Sequence, residues 1–274
     1  MKRIGIIGML WGLLIATGFY PARGTLGVLR VAHHVSIVGA TSLMPLTKRF
    51  VPEWEQKHPG VVVSIAAGGS WAGILAVTEG HADIGMADLI PPSRLAVRLV
   101  GYPAGRLAVA FIANNKDGVK EVSESQLMQL LLGRIPNWRS IGGRDEPVIV
   151  VSRPLSSGAR AMIDSFLPPP GLSADAIIQL SNGAVLKTVR DTPGAIGYVE
   201  WRPGMGGVTM LGIGHHAFDT THLATWPYFT KPTFYVHKRA SDLVKNLAQA
   251  LSQAPAKTDF GIYRGHVITP KGLP

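Results

Sequence analysis

Three short turns of the sequence carry hydroxyl side chains and glycines where a strand-like run gives way to a helical pattern. Their sequences are VGATS, AGGSWAG and RPLSSGA, with Thr41, Ser42, Ser70 and Ser157 as hydroxyl residues. A helix N-terminus has free N–H groups and the positive end of the helix dipole, so each turn could bind an anion. A serine or threonine here is more often a simple helix cap, so the argument depends on all three turns together.

Charged residues stand beside these turns. Arg153 opens the third turn, and its planar guanidinium suits an oxyanion. The segment DIGMAD places Asp83 and Asp88 around a short strand, and we expect Asp83 to be structural. Ligands of open α/β sheets bind outside the carboxyl ends of the strands, where these residues are predicted to lie. The pattern therefore indicates an oxyanion site.

The elements that would position these residues alternate along the chain. Apolar, β-branched runs such as VSIVG and the predicted buried strand VVVSIAA alternate with helical spacing in SLMPLTKRFVPEWEQKH and WAGILAVTEG. The segments PVIVVSR, AIGYVEW and KPTFYVHK predict later strands, and DLVKNLAQALSQA predicts a closing helix. This order favours an α/β fold with a mostly parallel sheet.

Composition limits the functional classes. The 274 residues are 46% hydrophobic and 16% charged, which is typical of a globular protein. The formal charge is +10, but the basic residues form no long run, which argues against a nucleic-acid-binding stripe. The chain has no cysteine, so it has neither disulfides nor the cysteine of a lipoprotein anchor.

The N-terminus is typical of a secretory signal peptide, which we place at residues 1–24. MKR is followed by the uncharged apolar run IGIIGMLWGLLIATGFY. Its removal would leave a charge of about +7 on a periplasmic chain. If it is not removed, the run is about long enough to serve as an N-terminal membrane anchor, and this alternative remains open.

The order of motifs closely resembles that of the phosphate-binding proteins of bacterial ABC-type phosphate importers. The resemblance covers nearly all of the chain after the signal, through GATSLMPL, GGSWAG, EGHADIGMAD, LLLGRIPNW, VVSRPLSSGAR, SNGAVLKTV, PGAIGYVEW and WPYFTKPTFYVHK. It implies an α/β fold of the two-lobed type II (venus flytrap) class, with mixed central sheets and flanking helices. Lobe one would comprise residues 28–107 and 232–274, and lobe two residues 108–231.

The same resemblance implies a monomer that binds inorganic phosphate between the lobes, without a cofactor, and docks on permease subunits in the inner membrane. Asp88 would accept a hydrogen bond from the protonated phosphate oxygen, and Arg153 would pair with the anion. The implied phosphate-binding residues are Thr41, Ser42, Ser70, Asp88, Arg153, Ser157, Gly158 and Ala159.

Two positions depart from the family pattern. Ala159 stands where the family usually has a threonine, so one hydroxyl is missing, and Trp71 stands where many members have a small residue. Arg160, the next residue, could compensate for the missing hydroxyl or lie on the helix surface. Trp71 and Arg160 are therefore secondary site candidates.

Other functions remain as alternatives. The ligand could be another oxyanion, such as sulfate or molybdate, or the chain could be a phosphate sensor or secreted anion-binding protein without transport. A secreted hydrolase with Ser157 as nucleophile is more distant, because SSGA lacks the glycine-flanked elbow of a hydrolase serine. We expect no metal site, although His33, His34, His215, His216 and His222 have spacings that a metal could use.

Overall fold

The computed structural model describes residues 33–221, 223, 226–254 and 257–263. The expected signal peptide (1–24) and His222 lie outside these residues. Within the described ranges, no helix has the length and apolar character needed to cross a bilayer.

Strands and helices alternate through most of the chain. In chain order they are β1 His33–Gly39, α1 Met44–Lys57, β2 Val61–Ala67, α2 Ser70–Glu79, β3 Ile84–Ala87, α3 Ser93–Ala96, β4 Leu99–Pro103, β5 Arg106–Ala113, β6 Glu121–Val122, α4 Glu124–Leu131, β7 Ile149–Ser152, α5 Gly158–Asp164, β8 Ile177–Ile178, α6 Asn182–Asp191, β9 Ala195–Glu200, β10 Thr209–Met210, β11 Gly212–Ile213, β12 Phe229–Thr230, β13 Thr233–His237, α7 Asp242–Gln253 and β14 Ile262–Tyr263. Short 3₁₀ helices occupy Trp138–Ile141 and Lys257–Phe260.

The first sheet has the strand order β2-β1-β3-β13-β4. Strands β2, β1 and β3 are parallel, as the strand–helix alternation predicts. Strand β13 arrives from a distant part of the chain and pairs antiparallel with both β3 and β4. The sheet is therefore mixed, because a late strand returns to it in the opposite direction.

The second sheet has the order β10-β5-β9-β7-β8, and β12 and β14 also pair with β5. Strands β7 and β9 are parallel, whereas β5 and β9 are antiparallel. The chain passes from the first sheet to the second between β4 and β5, and it returns between β12 and β13. The α/β class with mixed sheets and flanking helices is confirmed.

Each sheet has its own hydrophobic core. In the first, Ile37, Met86 and Phe234 are buried with Leu46 of α1 and Leu247 of α7. The core of the second sheet contains the fully buried rings of Phe111, Trp138, Tyr198 and Trp226. These two cores fix the positions of the strand ends at which the candidate site residues lie.

Strand β2 is where the sequence interpretation was wrong about burial. The run VVVSIAA forms a strand, but it lies at the edge of the first sheet and its residues are half-buried or exposed. The exposed fraction of Val62 is 51%. An apolar run predicts a strand, but successive side chains point to opposite faces of the sheet, and in β2 only the face with Val61, Val63 and Ile65 packs against the core.

Candidate anion-binding site

The first turn, between β1 and α1, directs its hydroxyl groups away from the helix that it precedes. Helix α1 has no side-chain cap. The Ser42 hydroxyl lies 2.7 Å from each carboxylate oxygen of Asp88 and donates to this carboxylate. The Thr41 hydroxyl accepts a 3.4 Å hydrogen bond from Nη2 of Arg153. Both hydroxyls therefore contact the predicted charged residues and do not cap the helix.

The second turn positions Asp88 through Ser70. Ser70 is fully buried at the start of α2, and its hydroxyl accepts a 3.0 Å hydrogen bond from the backbone N–H of Asp88. In the same helix, the backbone N–H of Trp71 donates to the carbonyl of Ser156, at 3.1 Å. The turn after β2 therefore contacts both the acidic residue and the loop that precedes α5.

The third turn brings the start of α5 against Asp88. Ser157 is the N-cap of this helix, and its hydroxyl accepts from the backbone N–H of Arg160 at 3.4 Å. A Cβ atom on Gly158 would lie 2.5 Å from Cβ of Asp88 and 3.0 Å from the Ser70 hydroxyl. Only a residue without a side chain allows this approach.

Arg153 is buried, with an exposed fraction of 2%. Nη1 donates to Oδ1 of Asn182 at 2.9 Å, and Nη2 donates to the carbonyl of Leu180 at 3.3 Å. Nε has no hydrogen-bond partner among the described residues. A buried guanidinium with an unused donor is an arrangement that can receive an oxyanion.

Glu200, which sequence reasoning did not select, lies beside this guanidinium. Its side chain is buried at the end of β9, with Oε2 4.0 Å from Nη1 of Arg153. Oε2 has no hydrogen-bond partner among the described residues. The motifs SNGAVLKTV and PGAIGYVEW contain Asn182 and Glu200, and the position of Glu200 at the carboxyl end of a buried strand was a signal for it.

The electrostatics of Asp88 differ from those of a surface carboxylate. Burial raises the pKa of Asp88 well above its usual range, and the Glu200 carboxyl raises this pKa further. The hydrogen bond from Ser42 and the positive charge of Arg153 act in the opposite direction. Burial therefore makes ionisation of the Asp88 carboxyl less favourable than that of an exposed aspartate, whereas the Ser42 hydroxyl and the Arg153 guanidinium favour the carboxylate form.

The secondary candidates have partners of their own. Nε of Arg160 is 2.7 Å and 2.9 Å from the carboxylate oxygens of Asp164, and Nη1 donates to the carbonyl of Arg153 at 3.2 Å. Trp71 is half-buried and packs against the apolar cluster that includes Ile74. Ala159 is fully buried.

Asp83, which was expected to be structural, is held beside the first sheet, where its carboxylate accepts hydrogen bonds from the backbone N–H and the hydroxyl of Ser36.

A cavity of about 220 Å³ adjoins this cluster. Its lining includes Thr41, Ser42, Asn182, Glu200, Trp201 and Arg202. In the part of the chain that the structure describes, no three histidine, cysteine, aspartate or glutamate side chains are grouped as metal ligands. The cluster has hydroxyls, one guanidinium and two carboxyls, and this donor set can hydrogen-bond a protonated oxyanion.

Comparisons with known proteins identify the family and the fold of this chain. A family model described as the PBP superfamily domain matches residues 22–250. The phosphate-binding protein PstS of Bacillus subtilis (strain 168) is 27% identical over 247 residues, which cover 88% of this chain and 82% of that protein.

Two solved structures have a similar fold. A substrate-binding protein of Clostridium perfringens, solved with bound phosphate, has a TM-score of 0.77 and 23% identity, and the match covers 85% of this chain and all of that one. An ABC-type phosphate transport receptor of Vibrio cholerae has a TM-score of 0.67 and 22% identity, over 83% of this chain and 96% of that one. At these identities the two structures are evidence for the fold.

Proposed function

The chain belongs to the PBP superfamily, and on this premise we propose that it binds inorganic phosphate between its two main sheets and delivers it to an ABC-type phosphate importer. The family is one of substrate-binding proteins and not of enzymes. The observation that carries the proposal is the buried Arg153, whose unused Nε donor lies in a cluster with the buried carboxyl of Asp88. The names of the relatives support phosphate as the ligand.

The proposed site supplies donors from both sheets. A desolvated phosphate needs many hydrogen-bond donors, because a buried charge without partners is very costly. Thr41, Ser42 and Ser70 act from the first sheet, whereas Arg153 and the segment 157–159 act from the second. Ligand contacts to both sides would favour a closed form, as in hinge-type binding proteins.

Asp88 is proposed to discriminate between oxyanions. A carboxylate oxygen beside an anion is favourable only if the ligand brings a proton to share with it. Phosphate carries such a proton at neutral pH, whereas sulfate does not. Sulfate would therefore place its oxygens against an unpaired acceptor, which disfavours its binding.

Delivery of phosphate to an importer requires that the chain reach the periplasm and bind the importer's permease subunits. We propose that the signal peptide at residues 1–24 directs the chain to the periplasm, where the monomer docks on permease subunits of the inner membrane. The lobe boundaries, with residues 28–107 and 232–274 in lobe one and 108–231 in lobe two, stay a prediction. They are supported by the strand order, because the chain changes sheets after β4 and again after β12.

The proposed ligand is tested by calorimetric titration of the purified chain, stripped of ligand, first with phosphate and then with sulfate. Saturable phosphate binding without a sulfate response is the expected result. If phosphate gives no heat and sulfate or molybdate does, the site is specific for another oxyanion. If phosphate binds but the chain does not stimulate uptake by the importer, the chain acts as a sensor or secreted binding protein.

Replacing Asp88 with asparagine is expected to weaken the discrimination against sulfate by about tenfold to a hundredfold, because an amide N–H can donate to a sulfate oxygen. The ratio of the phosphate and sulfate dissociation constants, measured by calorimetry at neutral pH, checks this. Asp83→Asn is the matched control, since Asp83 bonds to Ser36 within the first sheet. An unchanged ratio in Asp88→Asn would contradict the acceptor role.

A further inference from the structure

Asn182 connects two buried charged residues of the second sheet, Arg153 and Glu200. Its Oδ1 atom accepts a 2.9 Å hydrogen bond from Nη1 of Arg153 and a 3.4 Å hydrogen bond from the backbone N–H of Glu200. Asn182 is itself buried, and it is the first residue of α6. The cap of this helix is Ser181, which accepts from the backbone N–H of Ala184. The Asn182 side chain is therefore not needed as a cap and can bind Arg153.

Arg153 and Glu200 lie close together without a hydrogen bond between them. Oε2 of Glu200 is 4.0 Å from Nη1 of Arg153, which is within ion-pair distance but too far for a hydrogen bond. Among the described residues, neither Oε2 of Glu200 nor Nε of Arg153 has a hydrogen-bond partner. A buried guanidinium and a buried carboxylate are most stable when they bond directly, so their separation needs a cause.

We propose that Asn182 is a positioning residue of the anion site: its Oδ1 atom holds the Arg153 guanidinium apart from the Glu200 carboxylate, so that the guanidinium stays available to the anion. This inference rests on the proposed function, because it concerns how the same site keeps its cation free for phosphate. Asn182 acts through Arg153, and the proposal requires no contact between Asn182 and the anion.

The other bonds of the Arg153 side chain do not replace this one. Nη2 donates to the carbonyl of Leu180 at 3.3 Å and to the hydroxyl of Thr41 at 3.4 Å. Both distances are longer than the 2.9 Å bond to Asn182, and both bonds are made by the other terminal nitrogen. The bond to Asn182 is thus the one that fixes Nη1, the nitrogen in contact with Glu200.

Phosphate and Glu200 would compete for the same donors. Arginine has five N–H donors in a planar fork, and both carboxylates and phosphates bind this fork through two parallel hydrogen bonds. A movement of about 1 Å would bring Nη1 of Arg153 within hydrogen-bond distance of Oε2 of Glu200. That movement would lengthen the bond to Asn182, and it would use donors that the anion needs.

The proposal is tested by a double-mutant cycle of Asn182→Ala and Glu200→Gln, with phosphate dissociation constants measured by calorimetry. In the wild-type background, Asn182→Ala is expected to weaken phosphate binding by about tenfold, because Glu200 then takes up the freed donor. In the Glu200→Gln background, the same change is expected to cost less than about threefold, since a neutral amide binds the guanidinium more weakly than a carboxylate does.

The comparison of the two backgrounds is decisive, because the general effect of removing the Glu200 charge cancels in it. An equal loss in both backgrounds would mean that Asn182 acts independently of Glu200, and it would overturn the proposal. Should Asn182→Ala not fold, Glu200→Gln alone is informative. Competition predicts that this variant binds phosphate more tightly than the wild-type chain, and weaker binding would show that Glu200 supports the site.

Ser181→Ala is the matched control for a loss of helix structure. It removes the cap of α6 but none of the hydrogen bonds of the Arg153 side chain. We expect a lower melting temperature and a phosphate affinity within about threefold of the wild-type value. A tenfold loss of affinity in Ser181→Ala would assign the effect of Asn182→Ala to the weakened helix and would reject the positioning role.

Nitrogen-15 NMR of the ligand-free protein tests the position of the guanidinium without phosphate. The Arg153 side-chain resonance, identified by its absence from Arg153→Ala, is expected to shift in Asn182→Ala and to return toward its wild-type position when Glu200→Gln is added. A shift that Glu200→Gln leaves unchanged would overturn the inference and leave the proposed function in place. Absence of phosphate binding by the wild-type chain would instead reject the proposed function.

Discussion

Replacement of Arg153 with alanine is expected to weaken phosphate binding by about a hundredfold to several thousandfold. The loss of one partner from a buried charge pair costs about 3–5 kcal/mol, and each 1.4 kcal/mol is a factor of ten in the dissociation constant. In this variant the carboxyls of Asp88 and Glu200 would face the anion without a nearby guanidinium. Calorimetry with phosphate measures the effect, and circular dichroism checks that the variant is folded.

Arg160→Ala is the matched comparison for Arg153→Ala. Arg160 stands seven residues later and forms an ion pair with Asp164 on the same helix, in the partly exposed setting in which such pairs contribute little. We expect the phosphate affinity of the Arg160→Ala protein to stay within about threefold of the wild-type value. A folded Arg153→Ala protein with wild-type affinity would remove Arg153 from the site, and a large loss in Arg160→Ala would mean that Arg160 contacts the ligand.

Replacement of Gly158 with alanine is expected to weaken phosphate binding by about tenfold to a hundredfold. The added methyl group would lie 2.5 Å from Cβ of Asp88, so the start of α5 must move away from Asp88. Such overpacking costs about 1–3 kcal/mol. Alanine is a better helix former than glycine, so we do not expect α5 itself to be destabilised.

The control for this variant is Gly206→Ala. A Cβ atom at Gly206 has no heavy atom within 4 Å, and its backbone is outside the left-handed region. Both variants are compared by calorimetry with phosphate and by thermal unfolding. Wild-type affinity in Gly158→Ala, with an unchanged melting temperature, would show that the site does not depend on the contact between α5 and Asp88.

The elements of the fold could be read from the sequence, because their signals are local. Apolar periodicity and glycine turns predicted strands β1, β3, β7, β9 and β13 and helices α1, α2 and α7. The pairing directions could not be read in this way. Strand β13 joins β3 and β4 in antiparallel orientation, and β2 becomes an exposed edge, because both depend on which distant strands lie alongside.

In the candidate site, too, the hydroxyl residues could be predicted from the sequence, whereas their hydrogen-bond partners could not. The turns with Ser42 and Ser157 look alike as sequences, yet Ser157 caps its helix whereas Ser42 donates to Asp88, which is 46 residues away. Only the chain path decides between a cap and a distant partner, since a serine hydroxyl can serve either.

The sequence by itself determined the α/β class, the order of elements and the three hydroxyl-bearing turns, because these depend on residues close together in the chain. The tertiary structure decided that Glu200 lies with Arg153 and Asp88. Strands β7 and β9 run parallel, so their carboxyl ends meet at one edge and bring Glu200 beside Arg153. The contact of α5 with Asp88 then adds the carboxyl from the other sheet. Such a grouping depends on strand pairing and on the packing between the two sheets, which no local pattern of residues encodes.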